Sequence, residues 1–189
     1  MHRLTYWGLF GLTLAVYALM LGWSLPTVSA AAGGLAPFDM RPGGYSHAEA
    51  MAFLSALTAD GARFYLDVQQ RLDIVYPALI ALTLFFSIAA MAPRRLGRWR
   101  WALAIVALPI AIFDYLENHA IALMIAAGPR GLTPELVAEA SRWTVLKSGT
   151  TTIAMVILLG LVAIKTAQRL LRLWRSRSAT GPSSGATPP

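Results

Sequence analysis

Four long apolar stretches, each nearly free of charge, order this chain. Leu4 to Phe38 carries no charged side chain, and within it Trp7 to Leu25 is dense enough to cross a bilayer, which takes about 20 apolar residues. Ile74 to Ala92 is a second uncharged run. Trp101 to Ala127 is a third, interrupted by Asp114, Glu117, Asn118 and His119, and Trp143 to Ile164 is a fourth, interrupted by Lys147. The runs lack period-two alternation and are too long for strands. They predict an all-α, polytopic membrane protein with four transmembrane helices in a bundle, spanning about 5–25, 64–92, 100–127 and 141–166 of a single domain, residues 1–175. Helices satisfy every backbone group internally, as a hydrocarbon solvent demands. Trp7 and Trp23 bracket the first run, Trp99 and Trp101 open the third, and Trp143 opens the fourth, where an indole can sit at headgroup level.

The first run has a rival reading. Arg3, the apolar stretch and then Val28-Ser29-Ala30 look like a signal peptide with a small-residue cleavage site. The stretch exceeds the usual apolar region of about 7–15 residues, so a retained helix is expected.

The connections are polar or rich in breakers. Gly33-Gly34, Pro37 and Arg41-Pro42-Gly43-Gly44 read as irregular chain in an external segment from about Pro26 to Arg63. Ser46-His47-Ala48-Glu49 then fits a capping box, followed by Met51, Leu54 and Leu57 at helical spacing, with Gly61 as a stop. This predicts a short amphipathic external helix at about 47–59, either lying on the outer membrane surface or covering the open end of the bundle. Asp67 and Arg71 are expected to pair as i,i+4 neighbours. Gly128-Pro129-Arg130-Gly131 should break the chain, and Thr133-Pro134-Glu135 should open a helix continuous with the fourth span. Residues 176–189 are low-complexity and are expected to be a disordered cytoplasmic tail.

Composition agrees with this reading. Of 189 residues, 57% are apolar and 13% charged, against about 25% charged in soluble domains. The absence of cysteine excludes a disulfide framework, thiolate zinc sites and a cysteine nucleophile. The formal charge of +7 is unevenly spread. Arg3, Arg94, Arg95, Arg98, Arg100, Lys165, Arg169, Arg172, Arg175 and Arg177 fall on one side of a four-span topology, and none of the nine acids does. The positive-inside rule predicts both termini in the cytoplasm, and the abundance of Ala, Leu, Gly and Arg is compatible with a bacterium of high GC content, in which case the expected membrane is the inner (plasma) one. With no binding motif present, topology accounts for the arginines and no nucleic-acid partner is expected.

Ionisable groups inside a bilayer are costly and are functional candidates by default. Here they are Asp73, Asp114, Glu117 and Lys147. Asp114, Glu117 and Asn118 share one helical face, as do Lys147, Thr150, Thr151 and Ala154, and estimated depths bring all four charges into the outer half of the membrane. Lys147 is expected to face Glu117 or Asp114, since pairing is the least costly state of buried ions. Pro77 and Pro109 each free a carbonyl, of Asp73 and Ile105, and a kink at Pro77 could widen the bundle beside the acids. The resulting polar cluster, Asp73, Asp114, Glu117, Asn118, Lys147 and Thr151, faces outward and admits several roles. It could lock helices in register, or bind a lipid, ion or partner helix. It could be a membrane-embedded enzyme on a lipid or isoprenoid, with Glu117, Asp73 and Asp114 as catalytic candidates, or part of a proton- or ion-coupled transporter. No cofactor is implied, and the three histidines, His2, His47 and His119, lack metal-ligand spacing. The expected partners are the lipid bilayer, a lipid or small ligand, and a second copy or another membrane protein.

Overall fold

The structure is a computed structural model that describes residues 3–179, with side chains described through residue 175. Among the described residues the chain is all-helical, and four helices are long and apolar enough to cross a membrane. We label the main helices α1 (Arg3–Ala31), α2 (His47–Ala56), α3 (Ala59–Met91), α4 (Trp99–Gly131) and α5 (Pro134–Ala179). α4 packs along both α5 and α3, α5 also meets α3, and α1 leans on α3. Hydroxyl pairs tie α1 to α3: Thr13 with Thr83 at 2.8 Å and Tyr6 with Ser87 at 2.8 Å.

Polarity runs opposite to that of a water-soluble protein. Asp73, Asp114, Glu117, Gln69, Ser24 and Thr144 are buried, whereas large apolar side chains point outward from all four long helices, for example Ile74, Ile112, Val156 and Leu159. Val156 and Leu159 are 63% and 60% exposed. Trp7, Trp23, Trp99 and Trp101 also lie on the outer surface, while Trp143 stacks on Phe113.

Several boundaries differ from expectation. α1 runs on through Pro26 to Ala31. A π turn at Met20–Ser24 precedes the proline, and widening the helix there accommodates its missing N–H. A second π turn at Tyr65–Gln69 lies within α3 and inserts an extra residue into the helical register. Asp67 and Arg71 form no ion pair with each other; Arg63 pairs with Asp60 two turns earlier. α2 stops at Ala56 and does not reach residue 59, because Leu57 turns extended and the Thr58 side chain caps α3. Gly61 is no stop. It lies inside α3, where a Cβ would come within 2.5 Å of the Ala31 side chain. The final helix continues through 176–179, against the expected disorder from 176; residues 180–189 and His2 lie outside the described residues.

Other local expectations hold. Ser46 and Glu49 form the reciprocal capping box, and the chain breaks at Gly128, which has φ 61°. Thr133 accepts from the Leu136 N–H at the start of α5. Of the two placements expected for α2, the structure has it covering the helix ends: Ala50, Phe53 and Leu54 are buried in one apolar cluster with Phe38, Tyr65, Ile121, Met124 and Val137. A second apolar cluster, with Leu84, Ile88, Ala107, Ile110 and Ala154, fills the other half.

Candidate functional site

The charged side chains lie between those two apolar clusters. Glu117 is fully buried. Its carboxylate forms an ion pair with Lys147 and accepts a hydrogen bond from Thr144 Oγ1 at 2.6 Å. Lys147 Nζ also reaches Asp114 Oδ1 at 3.5 Å. The helical phases of α4 and α5 thus bring together the two acids and the lysine that the sequence placed on facing stripes.

Asp73 enters from α3 and is held by a relay of neutral donors. Ser24 Oγ donates to Gln69 Oε1 at 2.6 Å, and Gln69 Nε2 donates to Asp73 Oδ2 at 2.8 Å. Ser24 and Gln69 are the last residues of the two π turns. The widened turns thus meet at this hydrogen bond, in keeping with the frequent use of π bulges at polar sites. Asn118 binds the backbone of Asp73 and leaves its carboxylate alone. Its Nδ2 donates to the Asp73 carbonyl at 3.1 Å, the acceptor orphaned by Pro77. Gln70 Nε2 in turn donates to the Asn118 carbonyl at 2.9 Å. The carbonyl freed by the proline is thus filled by a side chain, and the two cavities described below lie at the opposite end. Thr151 does not join the cluster through its hydroxyl, which donates to the Lys147 carbonyl of its own helix at 2.8 Å.

The segment between α1 and α3 supplies members that the span analysis missed. Asp39, in a single 3₁₀ turn at Phe38–Met40, accepts a hydrogen bond from Tyr65 Oη and lies within electrostatic reach of Asp73, Asp114, Glu117 and Lys147. Tyr45 is buried beside Thr144 and Glu117. Burial pushes the Tyr45 phenol up, so it remains a proton donor. Gly44, at φ 83°, sets this approach: a Cβ there would meet Ser141 Oγ at 2.6 Å, and that same hydroxyl accepts the Tyr45 N–H at 2.8 Å. Arg41 closes the segment from outside, with its guanidinium 5.7 Å from the Phe38 ring and bonded to the Ala36 carbonyl. Signals for the missed residues were present. Thr144 is one turn before Lys147, Gln69 is one turn before Asp73, and Asp39 is the first charge after Arg3.

The result is one ammonium, Lys147, paired with Glu117 and Asp114, with Asp73 and Asp39 within electrostatic reach and held by Gln69 and Tyr65. Among the described residues, no group of three or more His, Cys, Asp and Glu side chains converges as a metal site. No family model, curated protein or solved structure matches the chain, so the functional reading rests on this chemistry alone.

Proposed function

We propose that this chain is a multi-pass integral membrane protein, a bundle of four spanning helices with both termini in the cytoplasm, whose buried cluster holds protons. The observation that carries the reading is the charge imbalance: Asp73, Asp114 and Glu117 are all buried, and among the described residues only Lys147 pairs with any of them, through Glu117 and Asp114. An uncompensated charge in an apolar interior is too costly to persist. The balance is met by protons on these buried carboxyls, and Tyr45 adds a phenol beside Glu117. Catalysis on a lipid has less support, because Glu117 is fully buried and already engaged by Lys147 and Thr144.

The test uses purified full-length protein in detergent. A protonated carboxyl gives an infrared C=O stretch that a carboxylate lacks. Wild-type protein at neutral pH should show that band, and Asp73→Asn should weaken it. Absence of the band in the wild-type protein, or a band unchanged in Asp73→Asn, would overturn the proposal.

A further inference from the structure

The opposite end of the molecule carries a second site. A cleft of about 1130 Å³ opens between the end of α3, the 93–95 turn, the start of α4 and the last turns of α5. Six basic side chains line it: Arg94, Arg95, Arg100, Lys165, Arg169 and Arg172. Neither contributing stretch, residues 74–113 and 140–189, contains an Asp or Glu. Lys165 Nζ donates to the Ala90 carbonyl at 2.9 Å, near the C-terminal end of α3. The arginines of the cleft form no ion pair among the described residues.

Arg100 connects the cleft to something apolar. Its guanidinium lies 5.1 Å from the Trp101 ring, and its Nε is buried without a hydrogen-bond partner. It also borders an adjoining slot of about 250 Å³ whose other walls are Tyr6, Phe86, Ala89, Ala90 and Trp101. A basic chamber beside an aromatic slot, with one arginine on both walls, matches an amphipathic anion. Guanidinium groups bind phosphate oxygens through paired N–H donors, and an acyl chain fits the slot.

We propose that this end binds an anionic phospholipid, with its phosphate among Arg100, Arg169 and Arg172 and part of an acyl chain against Phe86 and Trp101. The choice of a lipid over a free anion rests on the membrane reading given above and is independent of what the buried cluster does. Zwitterionic lipids are disfavoured because they carry a cation into a chamber that has no acid.

Native mass spectrometry of the full chain in detergent tests this, with dioleoylphosphatidylglycerol and dioleoylphosphatidylcholine supplied equally. Wild-type protein should retain the anionic lipid preferentially. Arg169→Gln and Arg172→Gln should each weaken retention about five-fold, the worth of one basic residue near an anionic surface, and Arg130→Gln, outside the cleft, should leave it unchanged. Both test arginines are on exposed turns of α5, so these variants remain informative even if Arg100→Gln fails to fold. Equal retention of the two lipids, unchanged retention in the arginine variants, or full displacement by millimolar inorganic phosphate would each overturn the proposal. Fractionation of cells reports on the membrane assignment separately.

Discussion

Asn118 and Pro77 act as a pair although they are on different helices. The proline removes one helical hydrogen bond, and the asparagine restores a donor to the Asp73 carbonyl from α4. An unfilled carbonyl in an apolar interior costs about 1–3 kcal/mol. Asn118→Leu should therefore destabilise the protein by about that amount, measured by unfolding in detergent. Pro77→Ala returns an N–H to the helix and should make the same Asn118 substitution much less costly. Additive costs in the double-mutant cycle would show that the two residues are not coupled. Pro77 was legible in the sequence as the source of a free carbonyl, and Asn118 as a member of the acidic face. Their union was not legible, because it depends on the relative height of α3 and α4, which periodicity does not encode.

At the scale of elements, the close approach of α1 to α3 governs how the segment between them is seated. Gly61 lies against Ala31, and the Thr58 N–H donates to the Ala31 carbonyl at 3.0 Å. A methyl group at Gly61 would crowd Ala31, Leu57 and Thr58 together. Gly61→Ala should cost about 1–3 kcal/mol, the range for overpacking, and Ala31→Gly should recover part of it by removing the nearest clashing atom. Recovery would be absent if Leu57 or Thr58 were the true obstacle. This glycine also shows where sequence reading fails. A glycine after an apolar helical pattern reads as a terminator, yet here the backbone of one helix needs the space beside another. The π turns escaped for a related reason. Each adds one residue to a turn, and the two meet at the Ser24–Gln69 hydrogen bond across helices, which periodicity along one helix does not encode. Asp67 and Arg71, expected as a pair, form none with each other, whereas the Ser46–Glu49 box, which needs only its own four residues, was readable in full. That box also carries a pH signature. Hydrogen bonds from the Ser46 hydroxyl and N–H hold the Glu49 carboxyl below the usual carboxylate range. Its support for α2 is thus complete above the ordinary glutamate range and fades as pH falls through the lowered value.

At the scale of the whole molecule, the two ends differ in chemistry, and that difference fixes the expected orientation. One end gathers the 94–100 arginines with Lys165, Arg169 and Arg172, and Tyr6 of α1 joins the slot beside them. The other end holds Asp39, Glu49, Asp60 and the α2 cap, with the buried acids beneath. Between them the outward surface is apolar on all four long helices. Basic residues next to membrane segments favour the cytoplasmic side, so the arginine end should face inward and α2 outward. The chain has no cysteine, so single cysteines can be introduced without background. In intact cells, a membrane-impermeant maleimide should label Ala48→Cys, which is exposed on α2, and should label Ser178→Cys only after the membrane is opened. If Arg94, Arg95, Arg98 and Arg100 set this orientation, neutralising all four should increase the fraction of molecules with Ser178→Cys accessible from outside. Three long apolar helices, α3, α4 and α5, separate residues 48 and 178, and an odd number of crossings puts the two positions on opposite sides, so labelling of both from the same side would refute the four-span topology.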